Sequence, residues 1–144
     1  MSYVLSATWQ GLAELEARID QLRYLGVEGT RIREALRPGA ELIAEAWRDK
    51  VPRPGADHPY ATGRYLRSIK VEPSDDPDFG FVGLDVYTDA EGDDGFNYPE
   101  ALEFGTSSMM AQPSAQPAFD ENVDKAVALA AQALDGLILQ VTVL

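Results

Sequence analysis

Few residues in this chain have both the type and the spacing for chemistry. His58 is the only histidine, and the acidic stretch DAEGDDGFNYPE, Asp89 to Glu100, is the best place to look for a metal. Asp89, Glu91 and Asp93 alternate there, and Glu100 stands at the twelfth position. Oxygen ligands at alternate positions and a late carboxylate are what a calcium loop uses. Such a loop also needs glycine at its sixth position for a sharp turn, and Asp94 stands there instead. The pattern lacks flanking helices as well. The stretch reads as a solvated acidic loop, and the run Ser74 to Asp78 reads as charge on an exposed turn.

Nucleophilic catalysis finds no better support. A Ser-His-Asp arrangement needs an imidazole between a nucleophile and an orienting carboxylate. His58 lies in a proline-rich loop with no nucleophile elbow nearby, and reads as a solvated loop residue. The tripeptide Thr62-Gly63-Arg64 lacks the lysine and the spacing of a phosphate loop. Cysteine is absent, which excludes disulfides, cysteine-ligated zinc and a thiol nucleophile, and fits a reducing compartment. The expectation is a protein that is not an enzyme, with no catalytic residues, no cofactor and no bound metal. A small metal-dependent hydrolase using His58, Asp89, Asp93 and Glu100 is the remote alternative.

Charge narrows the partners. The formal net charge is −12 over 144 residues. A nucleic-acid binder needs a Lys/Arg footprint, and an anionic membrane attracts basic segments, so neither is expected as a partner. The start MSYVLSATWQ has no basic n-region, so no signal peptide is expected, and no segment reads as long enough to span a membrane. The length suits one domain, 1–144, with one real core.

The elements that would position any site follow from periodicity. Residues 3–5 suit a short strand. Trp9, Leu12, Leu15, Ile19 and Leu22 recur at helical spacing, which predicts an amphipathic helix over 8–25 with Thr8 as N-cap and Gly26 just past its end. Ile32, Leu36, Ile43, Trp47 and Val51 predict a second helix over 30–50, kinked or split at Pro38. Residues 51–63 read as a loop, and YLRSIKVEP and FGFVGLDVYTD as two strands of an antiparallel hairpin. NYPEALEFG gives one or two helical turns ending at Gly105. A last helix opens with Pro117 as its first residue and runs to about 135, where Gly136 should break it and LILQVTVL return as a strand. Trp9 and Trp47 are expected to pack against the sheet. The predicted class is α+β: a small, mostly antiparallel sheet of three to five strands, covered by two or three amphipathic helices.

One loop does not fit this plain scheme. EFGTSSMMAQPSAQPA, Glu103 to Ala118, is long, carries two prolines and places Met109-Met110 off any periodic face. The methionines fold back onto the domain or form a contact surface, since methionine adapts to a partner's shape. Around this loop the sequence resembles a known family. YPEALEFGTSSMMAQPSAQPAFDEN is similar to the segment of tailed-phage head–tail joining proteins of the tail-completion family: tyrosine, short helix, Glu-Phe-Gly-Thr, variable residues, Ala-Gln-Pro, then Pro-Ala and a long helix. TGRYLRSIKV resembles that family's Thr-Gly followed by Leu, Arg, Ser and Ile, and WQGLAELEARIDQL and the helix closed by Val51-Pro52 also fit. Ser114, Ala115 and Gln116 depart from it, standing where the family usually has Phe-Leu-Arg.

The resemblance implies a structural virion protein, made in the host cytoplasm and located in the neck. There it would form a ring, as a hexamer, joining the DNA-filled head on its portal and connector side to the tail. A tail terminator ring protein is the alternative. Implied partners are copies of itself, neighbouring head–tail connector proteins, and the tail terminator or tail tube protein. DNA would pass through the ring without specific binding, and no membrane is implied. The protruding loop 105–117 would be an extended assembly loop. Glu103, Phe104, Gly105, Thr106, Met109, Met110, Gln112, Pro113 and Pro117 are the expected interface residues, and the loop is expected to be mobile in the free subunit.

Overall fold

The computed structural model describes residues 9–52, 63–74, 83–92, 95 and 98–143. Their order is α1 (Trp9–Tyr24), α2 (Gly29–Lys50), α3 (Arg64–Ser68), β1 (Ile69–Pro73), β2 (Leu84–Thr88), α4 (Tyr98–Phe104) and α5 (Ala115–Thr142). The fold is α+β and mostly helical. Residues 3–5, Thr8, His58, Asp93 and Asp94 lie outside the described residues, and so does the side chain of Trp9.

Helices α2 and α5 form the frame. They run antiparallel, because Lys50 pairs with Glu121 at 2.9 Å while Arg31 donates to Gln140 at 3.3 Å. Between these points Gly39 lies against Ala126. A Cβ at Gly39 would stand 2.7 Å from the Ala126 carbonyl oxygen, so only glycine admits this close a crossing. Pro38 is exposed, on the outer side of α2, and the helix continues through it. The expected split at Pro38 is therefore corrected: the prolyl ring faces solvent, and packing of the residues on either side of it holds the helix together.

Two buried clusters hang on this pair. In the first, Ala44, Trp47 and Val51 of α2 and its C-terminal flank meet Tyr65, Ile69 and Ala118, with Val71 and Val86 of the strands packed on them. Trp47 thus does pack against the sheet. In the second, Leu22 of α1, Ile32 of α2 and Leu134 of α5 are fully buried, ringed by Leu15, Ile19, Leu36, Leu137, Ile138 and Val141. Arg18 of α1 pairs with Asp135 of α5 at 2.7 Å on the rim. Helix α1 ends as expected at Gly26, whose φ of 80° lets the Val27 amide donate to the Leu22 carbonyl and the Gly26 amide to that of Arg23.

Further expectations change. Only a two-stranded antiparallel sheet is present among the described residues, pairing Ile69 with Thr88 and Pro73 with Leu84. The segment YLRSIKVEP is not all strand: Arg64–Ser68 form a helical turn that buries Tyr65, and extension begins at Ile69. Gly136 does not break α5, and the tail is helical to Thr142 rather than a strand. Leu134, Leu137, Ile138 and Val141 bury on one stripe across the glycine, and that burial outweighs a propensity loss of about 1 kcal/mol. Because α5 continues, it is one helix long and apolar enough, by length and composition alone, to cross a membrane, which corrects the expectation that no segment reaches that length. Its Ala118, Ala126, Ala130 and Leu134 are buried inside the fold.

Candidate functional site

The loop between α4 and α5 is the most constructed part of the molecule. Helix α4 ends at Gly105, whose φ of 75° turns the chain and lets its amide donate to the Ala101 carbonyl at 2.7 Å. A Cβ at Gly105 would stand 2.9 Å from both the Met109 oxygen and the Ala111 nitrogen. The outgoing and returning limbs therefore touch at this residue. Beyond it Thr106 and Met109 pair: the Thr106 amide donates to the Met109 carbonyl at 2.9 Å, and the Thr106 hydroxyl accepts from the Ser108 amide at 3.2 Å. The returning limb is then tied down by the Gln112 amide, which donates to the Leu102 carbonyl at 2.6 Å. The loop is a closed hairpin-like turn with a two-point base.

Its far end becomes the start of α5, and there the chemistry of helix ends takes over. The first four amides of a helix have no partner within it. Glu103 supplies three of them. Its Oε1 accepts from Ser114 at 3.0 Å and Ala115 at 2.9 Å, and its Oε2 accepts from Gln116 at 3.1 Å. The fourth position is Pro117, which has no amide hydrogen to satisfy. The intrahelical ladder starts with Ala118 donating to the Ser114 carbonyl at 3.1 Å. One carboxylate and one proline thus account for the whole helix start. The negative charge also sits at the positive end of the helix dipole. The expectation that Pro117 opens the helix is shifted by two residues for this reason: α5 begins at Ala115, and Pro117 is its third residue.

Ser114 flanks the helix, yet its side chain does not cap it. Its Oγ lies 3.1 Å from Trp47 Nε1 and 3.3 Å from the Tyr65 hydroxyl, and the indole also donates to that hydroxyl at 3.1 Å. Tyr65 packs edge-on against Trp47 at 6.1 Å and against Tyr98 at 6.0 Å. Burial pushes the Tyr65 phenol above the usual tyrosine value, and the nearby Glu103 charge adds to the rise. Its bonds to Ser114 and Trp47 act the other way. Among the described residues no buried side-chain polar atom is left without a partner. The loop is therefore bolted to the first cluster through α2, α3 and α4 together.

The nine expected interface residues separate into two groups. Glu103 is buried and spent on the helix start, Gly105 is the pivot, and Pro117 is half-buried in α5. Phe104, Thr106, Met110, Gln112 and Pro113 are exposed, and Met109 is half-buried. Periodicity missed Trp47, Tyr65 and Ser114 as parts of this site. The signal available was the pairing of Glu103 with a proline downstream, which looks like a split cap once α4 and α5 are adjacent.

Of the acidic stretch, Asp89, Glu91 and Glu100 lie among the described residues. Asp89 pairs with Lys70 at 2.7 Å, which holds its carboxyl below the usual range. No group of three or more His, Asp or Glu side chains stands ready for a metal among the described residues. No protein-family model, no curated protein and no solved structure matches this chain.

Proposed function

We propose that this chain is a structural virion protein of a tailed phage, a ring subunit of the neck that joins the filled head to the tail. Support comes from the resemblance of Tyr98 to Asn122 to the tail-completion segment, together with one observation on the loop itself. Glu103 fixes the base of the loop through three amide bonds while Phe104 and Met110 stand exposed beyond it. A rigid base under exposed apolar side chains suits docking, because little freedom is lost when a partner covers them. The closed turn at Thr106 and Met109 serves the same end, and makes the loop more pre-organised than an extended arm would be.

The high negative charge fits a channel through which DNA must slide without being held. The test is location and phenotype in the particle. Immuno-gold electron microscopy of the phage should place the chain at the head–tail junction, and a gene knock-out should give filled heads beside free tails. Label on the tail tip or the capsid shell, or normal joining in the knock-out, would remove the reading.

A further inference from the structure

The hairpin has two outer edges, and they are built differently. The Ser74 amide donates to the Gly83 carbonyl at 3.2 Å, which fixes the phase of the ladder. Lys70 and Glu72 therefore turn their backbone groups toward β2, and Ile69, Val71 and Pro73 turn theirs away. By the same alternation Asp85 and Tyr87 face β1, while Leu84, Val86 and Thr88 face outward. The outer edge of β1 is blunted at both ends. Arg48 donates to the Ile69 carbonyl at 2.7 Å, and Pro73 has no amide hydrogen to offer. The outer edge of β2 has neither device. Among the described residues β2 pairs with β1 alone, and no hydrogen bond reaches the backbone of Leu84 or Val86 from the outer side.

Charge says what kind of strand fits there. Glu72 and Asp85 stand directly opposite one another on the solvent face, and like charges so placed cost stability. The Tyr87 hydroxyl donates to Glu72 at 2.6 Å, and Lys70 is paired with Asp89 at 2.7 Å. Asp85 is exposed and in no ion pair among the described residues. The other face of the hairpin is apolar, with Val71 and Val86 packed on the Trp47 cluster and Leu84 half-buried. From Val71 to Asp94 the sequence holds acidic residues and no basic one, which adds to the attraction for a cation. A strand laid beside β2 continues the pleat, so alternate side chains fall beside Val86 and the others beside Asp85.

We propose that the outer edge of β2 is a strand-acceptor site for an extended partner segment that alternates basic with β-branched residues. The backbone of Leu84, Val86 and Thr88 forms the new ladder. Basic side chains of the partner meet Asp85 and relieve its opposition to Glu72, and the β-branched ones extend the row of Val71 and Val86. The site rests on the hairpin alone and stands whether or not the chain is a neck subunit.

The probe is the capped synthetic peptide Lys-Val-Lys-Val-Lys, titrated into the isotope-labelled full chain and followed by NMR. The amides of Leu84, Val86 and Thr88 should shift and exchange severalfold more slowly. Val86→Pro removes one outward amide and leaves the β1 ladder intact, so it should weaken binding about tenfold. Val71→Pro, the matching change on the β1 edge, should not. Exposed Asp85→Lys touches no backbone bond and should also weaken binding severalfold, while Glu-Val-Glu-Val-Glu should not bind. Thermal melts check the fold of each variant; where a proline variant melts early, Asp85→Lys and the exchange rates carry the test. Outward amides that do not move in excess peptide would overturn the proposal, as would equal binding of the Glu peptide or equal losses from the two prolines. So would a Val86 amide that, before any peptide is added, exchanges as slowly as the ladder amides of Lys70 and Tyr87, because the edge would then be covered already.

Discussion

Glu103 Oε1 lies 2.9 Å from the amide nitrogen of Ala115, twelve residues further along the chain. Helix α5 therefore borrows its cap from α4, and the segment between them is held as a closed loop by that borrowing. Replacing Glu103 with Ala should leave three amides unpaired at a buried helix start. The expected loss is about 3 kcal/mol, more than an ordinary N-cap deletion. Glu103→Gln keeps an acceptor oxygen but turns an amide donor toward donors, and should lose about half as much. Urea denaturation measures both, and a loss no larger than that of an exposed substitution would contradict the cap.

Met110→Ser should leave the stability of the isolated subunit within about 0.5 kcal/mol, since an exposed side chain is being shortened. Met109→Ser, at a half-buried position, should lose somewhat more, of the order of 1 kcal/mol. Equal and large losses from both would mean that the pair belongs to the core. The same urea curves decide.

Two glycines of α2 and α5 should respond with opposite signs. Gly39→Ala places a methyl 2.7 Å from the Ala126 oxygen, so the helices must separate, at about 1–3 kcal/mol. Gly136→Ala adds a methyl in open space and should stabilise the free subunit by about 0.5–1 kcal/mol. Thermal melts of the two variants against the parent read the sign directly.

The buried phenol of Tyr65 sets an alkaline limit. Its folded value is raised, chiefly by burial, so the folded state keeps a proton that the unfolded state gives up. The associated stability is complete below the usual tyrosine value of about 10 and is lost as pH climbs through the raised one. Tyr65→Phe should cost about 1 kcal/mol at neutral pH through the lost hydroxyl bonds, and should shrink the alkaline decline. Tyr87 and Tyr98 are also raised and will keep some of it. Tyrosinate absorbance followed alongside urea midpoints separates these contributions.

Periodicity was a good guide where burial lies along one element. Leu15, Ile19 and Leu22 mark the inner face of α1, and Ile32 and Trp47 that of α2, as their spacing predicts. Local rules failed where tertiary contact overrides them. Pro38 points outward, so a residue that should break α2 does not, and Gly136 is carried by the apolar residues on either side of it. The site was the least legible part. Ser114 meets Trp47 across 67 residues and Tyr65 across 49, and no spacing rule reaches that far. Glu103 and Gly105 were visible as a motif, but the motif did not say that one is a cap and the other a pivot.

The two buried clusters share no residue, and between them α2 and α5 meet at Gly39 and Ala126, backbone against backbone. A narrow waist of this kind carries little side-chain interlock from one end to the other. The half built on Leu22, Ile32 and Leu134 is expected to open while the half around Trp47 stays closed, as two cooperative units strung on one pair of rods. Amide exchange would see two protection plateaus rather than one. The far end of α5 can yield in this way without loosening the bolted loop at the near end.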